Sequence, residues 1–432
     1  MRVTLLVHLF ILTGILSAQT LFGGGEANPD LRSNQKALQN WQAMRFGMFI
    51  HWGPVTLRGT EIGWSRGNQV PADEYDQLYK EFNPVNFDAD EWVRIAKKAG
   101  MKYLILVTKH HDGFSLWDSK ATDYDIMAGP FKRDIVRELS DACEKEGILF
   151  GTYYSILDWR HPDYPIELVK GKRAPKPDAD MSRYIPFLKT QVRELIEKYD
   201  TNILWFDGEW EEPWTHEMGM DLYAWARGLK DELLINNRVD TGREGMEGVS
   251  KGAQFAGDFE TPEQRVGAFN TETPWESCIT ICKQWAWKPN DELKSADECI
   301  RMLLQTVGGD GNLLLNVSPM LDGRIEQRQI DVLEKIGAWL EVYGETVYGT
   351  RGGPIPPQKW GVTTHKENKI YAHILHKDHK ILLPKFDKSI SSVMLFPTLK
   401  KIDYKQTSKG LLLNLSGIAK SRDHLIIEIE LN

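Results

Sequence analysis

Short apolar runs recur along residues 41–349, and most of them stop abruptly in a cluster of polar or aromatic side chains. The runs are Gly47–His51, Tyr103–Thr108, Leu149–Tyr154, Ile203–Asp207, Leu233–Asn237, Gln254–Asp258, Cys278–Cys282 and Leu313–Val317. Five or six residues is strand length, too short for a helix, and continuous apolarity fits strands covered on both faces. Amphipathic helical patterns lie between several of them. Asp88-Ala89-Asp90-Glu91-Trp92 opens one with an N-cap and an acidic first turn, Trp92, Ile95, Ala96 and Ala99 share a face, and Gly100 ends it. Others run from Asp134 to Lys145 and from Pro186 to Lys198. Strands alternating with helices predict an α/β fold, a (β/α)8-like barrel of parallel strands.

The flanks read differently. Residues 1–18 look like a secretory signal peptide, with Arg2, an apolar stretch from Leu5 to Leu16, and Leu16-Ser17-Ala18 as the cleavage site. The stretch is short for a membrane span, so the expectation is a secreted or periplasmic protein with no membrane association beyond the signal. Residues 19–40 are polar and glycine-rich and read as a linker before a catalytic domain at 41–350. Pro354, Pro356 and Pro357 mark a boundary. Beyond it, β-rich segments at 369–375, 390–396, 411–415 and 424–429 predict a small antiparallel β-sandwich over 351–432.

In a parallel barrel the chemistry sits at the C-terminal ends of the strands. Those ends read His51-Trp52-Gly53, Lys109-His110-His111-Asp112-Gly113, Tyr153-Tyr154-Ser155, Trp205-Phe206-Asp207-Gly208, Asn237-Arg238 and Asp258-Phe259-Glu260-Thr261-Pro262-Glu263. Fifteen tryptophans and 14 tyrosines favour a carbohydrate ligand, because indole faces stack on the C–H faces of a sugar. A net charge of −8 argues against nucleic acid or an anionic membrane surface as partner. Cys143, Cys278, Cys282 and Cys299 lack paired CxxC spacing, so they read as buried free thiols and not as a zinc site.

A retaining glycosidase needs an ionised nucleophile and a protonated acid roughly 5–5.5 Å apart. Asp207, rigidly aimed at a strand end, is the nucleophile candidate, and Arg238 is placed to keep it ionised. Glu260, Glu263, Glu272 and Glu276 all qualify as the acid, and spacing does not choose among them. His51, His110 and His111 could hydrogen-bond sugar hydroxyls or ligate a metal. His110 and His111 can share one site only if the strand has ended before them. Three readings follow: a retaining glycosidase, a metal-dependent barrel hydrolase using the histidines, and a non-catalytic sugar-binding protein.

Longer segments sharpen this. Arg45-Phe46-Gly47-Met48-Phe49-Ile50-His51-Trp52-Gly53, Phe82-Asn83-Pro84, the run from Ala99 to Phe114 ending Thr108-Lys109-His110-His111-Asp112-Gly113-Phe114, Asp207-Gly208-Glu209-Trp210, Trp275-Glu276-Ser277-Cys278 and Gly311–Val317 together resemble the α-L-fucosidases of glycoside hydrolase family 29. The resemblance implies a (β/α)8-like domain with a C-terminal β-sandwich, and retaining hydrolysis of fucosylated oligosaccharides or glycoconjugates without metal or other cofactor. It makes Asp207 the nucleophile, and His51, His110 and His111 fucose-hydroxyl ligands. Trp64, Tyr153, Trp205 and Arg238 become further sugar contacts, and Trp287 an aromatic near the sugar's methyl group. The segment Asp258–Glu263 matches one version of the family's acid/base loop and makes Glu263 the acid/base, with Glu276 in reserve. The chain departs from the pattern at Gly63, where many members carry a glutamate before the tryptophan, and Glu61 stands nearby. The Trp64–Pro71 stretch resembles the members restricted to α-1,3/1,4-linked fucose. The resemblance names no oligomeric state.

Overall fold

The structure is a computed structural model that describes residues 34–376, 380–416, 418 and 425–432. The expected signal peptide and most of the expected linker lie outside these residues. Residues 35–40, assigned to that linker by composition, instead begin helix α1 (Gln35–Met44), capped by the Asn34 side chain and anchored by the fully buried Trp41.

Seven parallel strands form the central sheet: β1 (Phe46–Ile50), β2 (Tyr103–Lys109), β3 (Leu149–Ser155), β6 (Ile203–Asp207), β7 (Leu234–Ile235), β8 (Glu276–Thr280) and β9 (Asn312–Val317). Their order is β7-β6-β3-β2-β1-β9-β8. A short antiparallel hairpin, β4 (Ile166–Val169) and β5 (Lys172–Pro175), projects after β3. Helices α2 (Ala72–Tyr75), α3 (Ala89–Lys98), α4 (Ile135–Glu146), α5 (Met181–Lys198), α6 (His216–Leu229), α7 (Ala296–Gly308) and α8 (Gln327–Tyr343) connect the strands. Asp88 and Asp134 cap α3 and α4 as their sequences imply. Helix α5 starts five residues before Pro186, at the Asp180 cap, so Pro186 lies inside the helix and gives up one backbone donor there.

Strand side chains alternate between two apolar layers. Met48, Leu104, Leu106, Tyr154, Phe206 and Leu315 face the helices, whereas Phe49, Tyr103, Ile105, Tyr153, Trp205 and Leu314 fill the barrel.

The eighth stave is irregular. Gln254–Asp258, expected as a strand, forms none; parallel bridges Asn236–Phe259, Glu260–Trp275 and Glu263–Cys278 instead carry residues 259–263 between β7 and β8. Backbone bonds from Asn237 N to Phe259 O, Glu276 N to Glu260 O and Cys278 N to Pro262 O join this stave to its neighbours, and side chains beside it bind further backbone groups. The Asn236 amide donates to Phe206 O and accepts from Phe206 N, both at 2.9 Å, and Asp258 Oδ2 accepts from Ile235 N at 2.7 Å. Pro262 has no N–H to give.

Beyond residue 350, strands β10 (Arg351–Gly352), β11 (Gly361–Lys366), β12 (Lys369–Ile374), β13 (Lys380–Leu383), β14 (Ile390–Phe396), β15 (Lys400–Lys401), β16 (Asp403–Thr407), β17 (Gly410–Asn414) and β18 (Leu425–Leu431) build two antiparallel sheets. Their orders are β10-β11-β12-β18-β14-β15 and β13-β17-β16. Ile370, Val393, Leu413 and Ile427 belong to the apolar core they share. Val362 and Leu375 reach across into the core of the barrel domain. No helix among the described residues is long and apolar enough to cross a membrane.

Candidate active site

A cavity of about 310 Å³ opens where β1, β2, β3 and β6 end. Asp207 is the last residue of β6, and the turn after it requires Gly208: φ is +97° and a Cβ would lie 2.6 Å from Leu157 Cγ. The chain therefore leaves sharply and the carboxylate stays at the cavity wall.

Arg238 organises the charges. Its Nη1 donates to Asp207 Oδ1 at 2.7 Å and its Nη2 to Glu263 Oε2 at 2.8 Å, while Nε donates to Thr261 Oγ1 at 2.9 Å. Two carboxylates thus face the cavity from adjacent nitrogens of one planar guanidinium, a geometry that lysine does not offer. Tyr153 Oη donates to Asp207 Oδ2 at 2.8 Å. Burial is the largest single influence and would raise the Asp207 pKa, but the charge and hydrogen bond of Arg238, joined by His111 and Arg243, together outweigh it and hold the group below the ordinary aspartate value. Asp207 is therefore an ionised, well-held nucleophile candidate.

Strand β2 ends at Lys109, so His110 and His111 both turn into the cavity, with ring centroids 4.0 Å apart. Ser155 Oγ gives its proton to Leu157 O at 2.7 Å and so accepts from His111 Nδ1, also at 2.7 Å. That fixes the neutral tautomer with a bare Nε2 facing the cavity, where it is buried and without a protein partner. It stands 3.7 Å from Asp207 Oδ2, which is no ion pair because burial lowers the His111 pKa to about 4. His51 Nδ1 contacts Asn316 Oδ1 at 2.6 Å, and burial lowers its pKa to about 3. Neutral imidazoles aimed into the cavity are acceptors and donors for hydroxyl groups. Among the described residues no three His, Cys, Asp or Glu side chains converge as a metal-holding group.

Aromatic rings complete the walls. Trp205 stacks on Tyr153 at 5.6 Å and 19°, and Trp285 lies over His51 at 4.7 Å. At the mouth, Trp64 and Trp210 lie nearly parallel, 6.3 Å apart, each more than one-third exposed.

A family model described as alpha-L-fucosidase matches residues 23–345 of this chain. The chain belongs to the α-L-fucosidase family. A tissue alpha-L-fucosidase of Bos taurus is 30% identical over 381 residues, spanning 81% of this chain and 77% of that one. Alpha-L-fucosidase isoenzyme 1 from Paenibacillus thiaminolyticus has a similar structure, at 34% identity and a TM-score of 0.81, over 92% of this chain and 99% of that one. A Bacteroides thetaiotaomicron alpha-L-fucosidase, trapped as a covalent intermediate with 2-fluoro-fucosyl fluoride, matches at 26% identity and a TM-score of 0.83, over 95% and 99%.

Within this fucosidase family member, several sequence-derived assignments move. Trp287 does not line the cavity: its Nε1 donates to Glu326 Oε2 at 3.4 Å, and Trp285 takes the wall position instead. The reason is Glu61. Its carboxylate accepts from Trp285 N at 2.9 Å and from Ala286 N and Ile62 N at 3.0 and 3.1 Å, which pins the 285–286 backbone against the barrel. Glu61 is thus a loop clamp outside the cavity. Gly63 admits no side chain, since φ is +66° and a Cβ would sit 2.5 Å from His110 Nδ1. Of the acid candidates, Glu263 alone lines the cavity. Glu276 is fully buried beneath its floor, Glu260 Oε1 accepts from Ser250 N at 2.8 Å, and Glu272 is exposed. Trp210, Arg243 and Met246 also line the cavity without having been singled out as ligands. Trp210 carried a signal, its place beside the Asp207 turn; the other two lie on a loop without a pattern.

Proposed function

We propose that this chain removes terminal α-L-fucosyl residues from oligosaccharides or glycoconjugates by double displacement. Asp207 attacks the anomeric carbon while Glu263, released from Arg238 Nη2 and having taken up a proton from solvent, delivers that proton to the glycosidic oxygen as the C–O bond breaks. Glu263, then ionised, takes a proton from the water that cleaves the fucosyl–Asp207 ester. The observation that carries this reading is the pair of carboxylates bridged by Arg238 in a cavity lined by neutral histidines. A volume of about 310 Å³ is at the small end of the range for ligand sites, which suits one sugar ring and therefore release from chain ends. The trapped covalent intermediate of the Bacteroides relative supports a covalent route here.

The compact 64–71 loop and the paired Trp64 and Trp210 at the mouth favour branched substrates with α-1,3/1,4-linked fucose. The charged and apolar regions of residues 1–18 favour export to the periplasm or outside the cell. The test is release of p-nitrophenol from its α-L-fucoside beside a branched α-1,3/1,4-fucosylated oligosaccharide, each with and without EDTA. EDTA-resistant turnover that Asp207→Ala abolishes, with the fold retained, is expected. A fully active Asp207→Ala variant would refute the mechanism, and turnover of the simple fucoside at the greater rate would refute the linkage preference.

A further inference from the structure

Glu276, an acid candidate that the mechanism leaves without a role, is not idle in the structure. It opens β8 inside the barrel, is fully buried, and accepts a hydrogen bond from Trp205 Nε1 at 3.2 Å on one oxygen and from the Tyr103 hydroxyl on the other. Trp205 in turn forms part of the cavity floor, and the Arg238 guanidinium lies over its ring at 4.5 Å. Arg238 carries both Asp207 and Glu263. A line of contacts therefore runs from Glu276 through one indole and one guanidinium to the two carboxylates.

We propose that Glu276 is a positioning residue for this reaction: it fixes the Trp205 indole, and through it Arg238, and does so as a hydrogen-bonding group rather than as acid, base or counter-charge. The inference rests on the assignment of Asp207 and Glu263 made above. Among the described residues no cation pairs with Glu276. Arg238 is engaged by Asp207 and Glu263, and Arg45, beyond Tyr103, is taken up by Asp310 Oδ1 at 2.7 Å and by the Thr350 carbonyl at 3.0 Å. A carboxyl buried without a cation is stable in its neutral form. Burial accordingly raises its pKa to about 8, against the smaller opposing pull of Tyr103 and Trp205. A neutral acid keeps one oxygen for the indole N–H and shares a proton with Tyr103, and a glutamine amide can reproduce both contacts.

The experiment compares Glu276→Gln, Glu276→Leu, Trp205→Phe and Glu263→Ala with the wild type on p-nitrophenyl α-L-fucoside, with and without azide, across pH. Glu276→Leu should lower kcat/KM roughly 10- to 100-fold, the scale of an ångström-sized misplacement. Azide should not restore it, whereas azide should restore Glu263→Ala. Glu276→Gln should recover most of the loss with an unchanged pH profile. Trp205→Phe, which keeps a ring and loses the N–H, should be impaired, and Glu276→Leu should add little to it. A Glu276→Gln variant as slow as Glu263→Ala and rescued by azide would make Glu276 the acid/base and overturn the proposal. So would a folded Glu276→Leu variant of wild-type activity. Should Glu276→Leu fail to fold, an impaired Glu276→Gln beside an unimpaired Trp205→Phe overturns it equally. A wild type inactive on the fucoside, or a Glu263→Ala variant that azide leaves inactive, would fault the functional assignment instead.

Discussion

Replacing Arg238 with methionine keeps an unbranched apolar stem and removes the charge facing both carboxylates. In the folded protein Arg238 is almost fully buried, its contacts to Asp207 and Glu263 are 2.7 and 2.8 Å, and those carboxylates are only 10% and 17% exposed. Breaking a buried pair leaves an uncompensated charge and costs about 3–5 kcal/mol; water reaching Glu263 keeps the total near that range instead of doubling it. At ~2.1 cal/mol/K per residue, a 432-residue chain has an unfolding entropy of about 0.9 kcal/mol/K, so Tm should fall by about 3–6 °C at pH 7. The pH dependence has a definite sign. Asp207 has its folded pKa below the ordinary 3.8, so the stability it contributes is present above that value and is lost as pH falls through the folded pKa. In Arg238→Met the stranded Asp207 carboxylate is relieved by protonation, so the gap between variant and wild type should narrow from pH 7 towards pH 4. Calorimetric scans at the two pH values, with fucoside turnover measured alongside, test this. A gap below 1 °C at pH 7, or one that widens on acidification, would refute the claim that Arg238 compensates two buried carboxylates.

Three further outcomes are expected. Gly63→Ala forces a side chain into a left-handed conformation and against His110, so Tm should fall and KM on the fucoside should rise several-fold; a wild-type KM would contradict the close packing. Glu61→Ala strands the N–H groups of Trp285 and Ala286, each worth about 1–3 kcal/mol, and should raise KM, as should Trp285→Ala; Trp287→Phe should leave KM within about twofold. His51 has its folded pKa lowered from 6.5 to about 3, so the unfolded chain binds more protons between those values and stability is lost as pH falls below 6.5. His51→Gln should flatten the Tm-against-pH slope in that window, and an unchanged slope would mean that His51 is not buried neutral.

What the sequence determined by itself was whatever is encoded locally. Residues 103–107 and 203–206 are continuously apolar because a barrel strand is covered on both faces, and the caps at Asp88 and Asp134 sit beside the helices they start. Asp207, Arg238 and the three histidines were legible for the same reason, since each lies within a residue or two of the end of a run and a parallel barrel brings such ends together. The stave at residues 259–263 was not legible, because isolated backbone bridges to residues 236, 275 and 278 hold it and its own residues make no apolar run that would record them. Nor could spacing separate Trp285 from Trp287, or Glu263 from Glu276. Those choices depend on partners 25 to 224 residues away in the chain: Glu61 clamps one tryptophan into the wall, and Tyr103 and Trp205 draw one glutamate under the floor while Arg238 keeps the other in the cavity. A sequence fixes which side chains reach the rim of the barrel; only packing across it decides which of two neighbours faces the substrate.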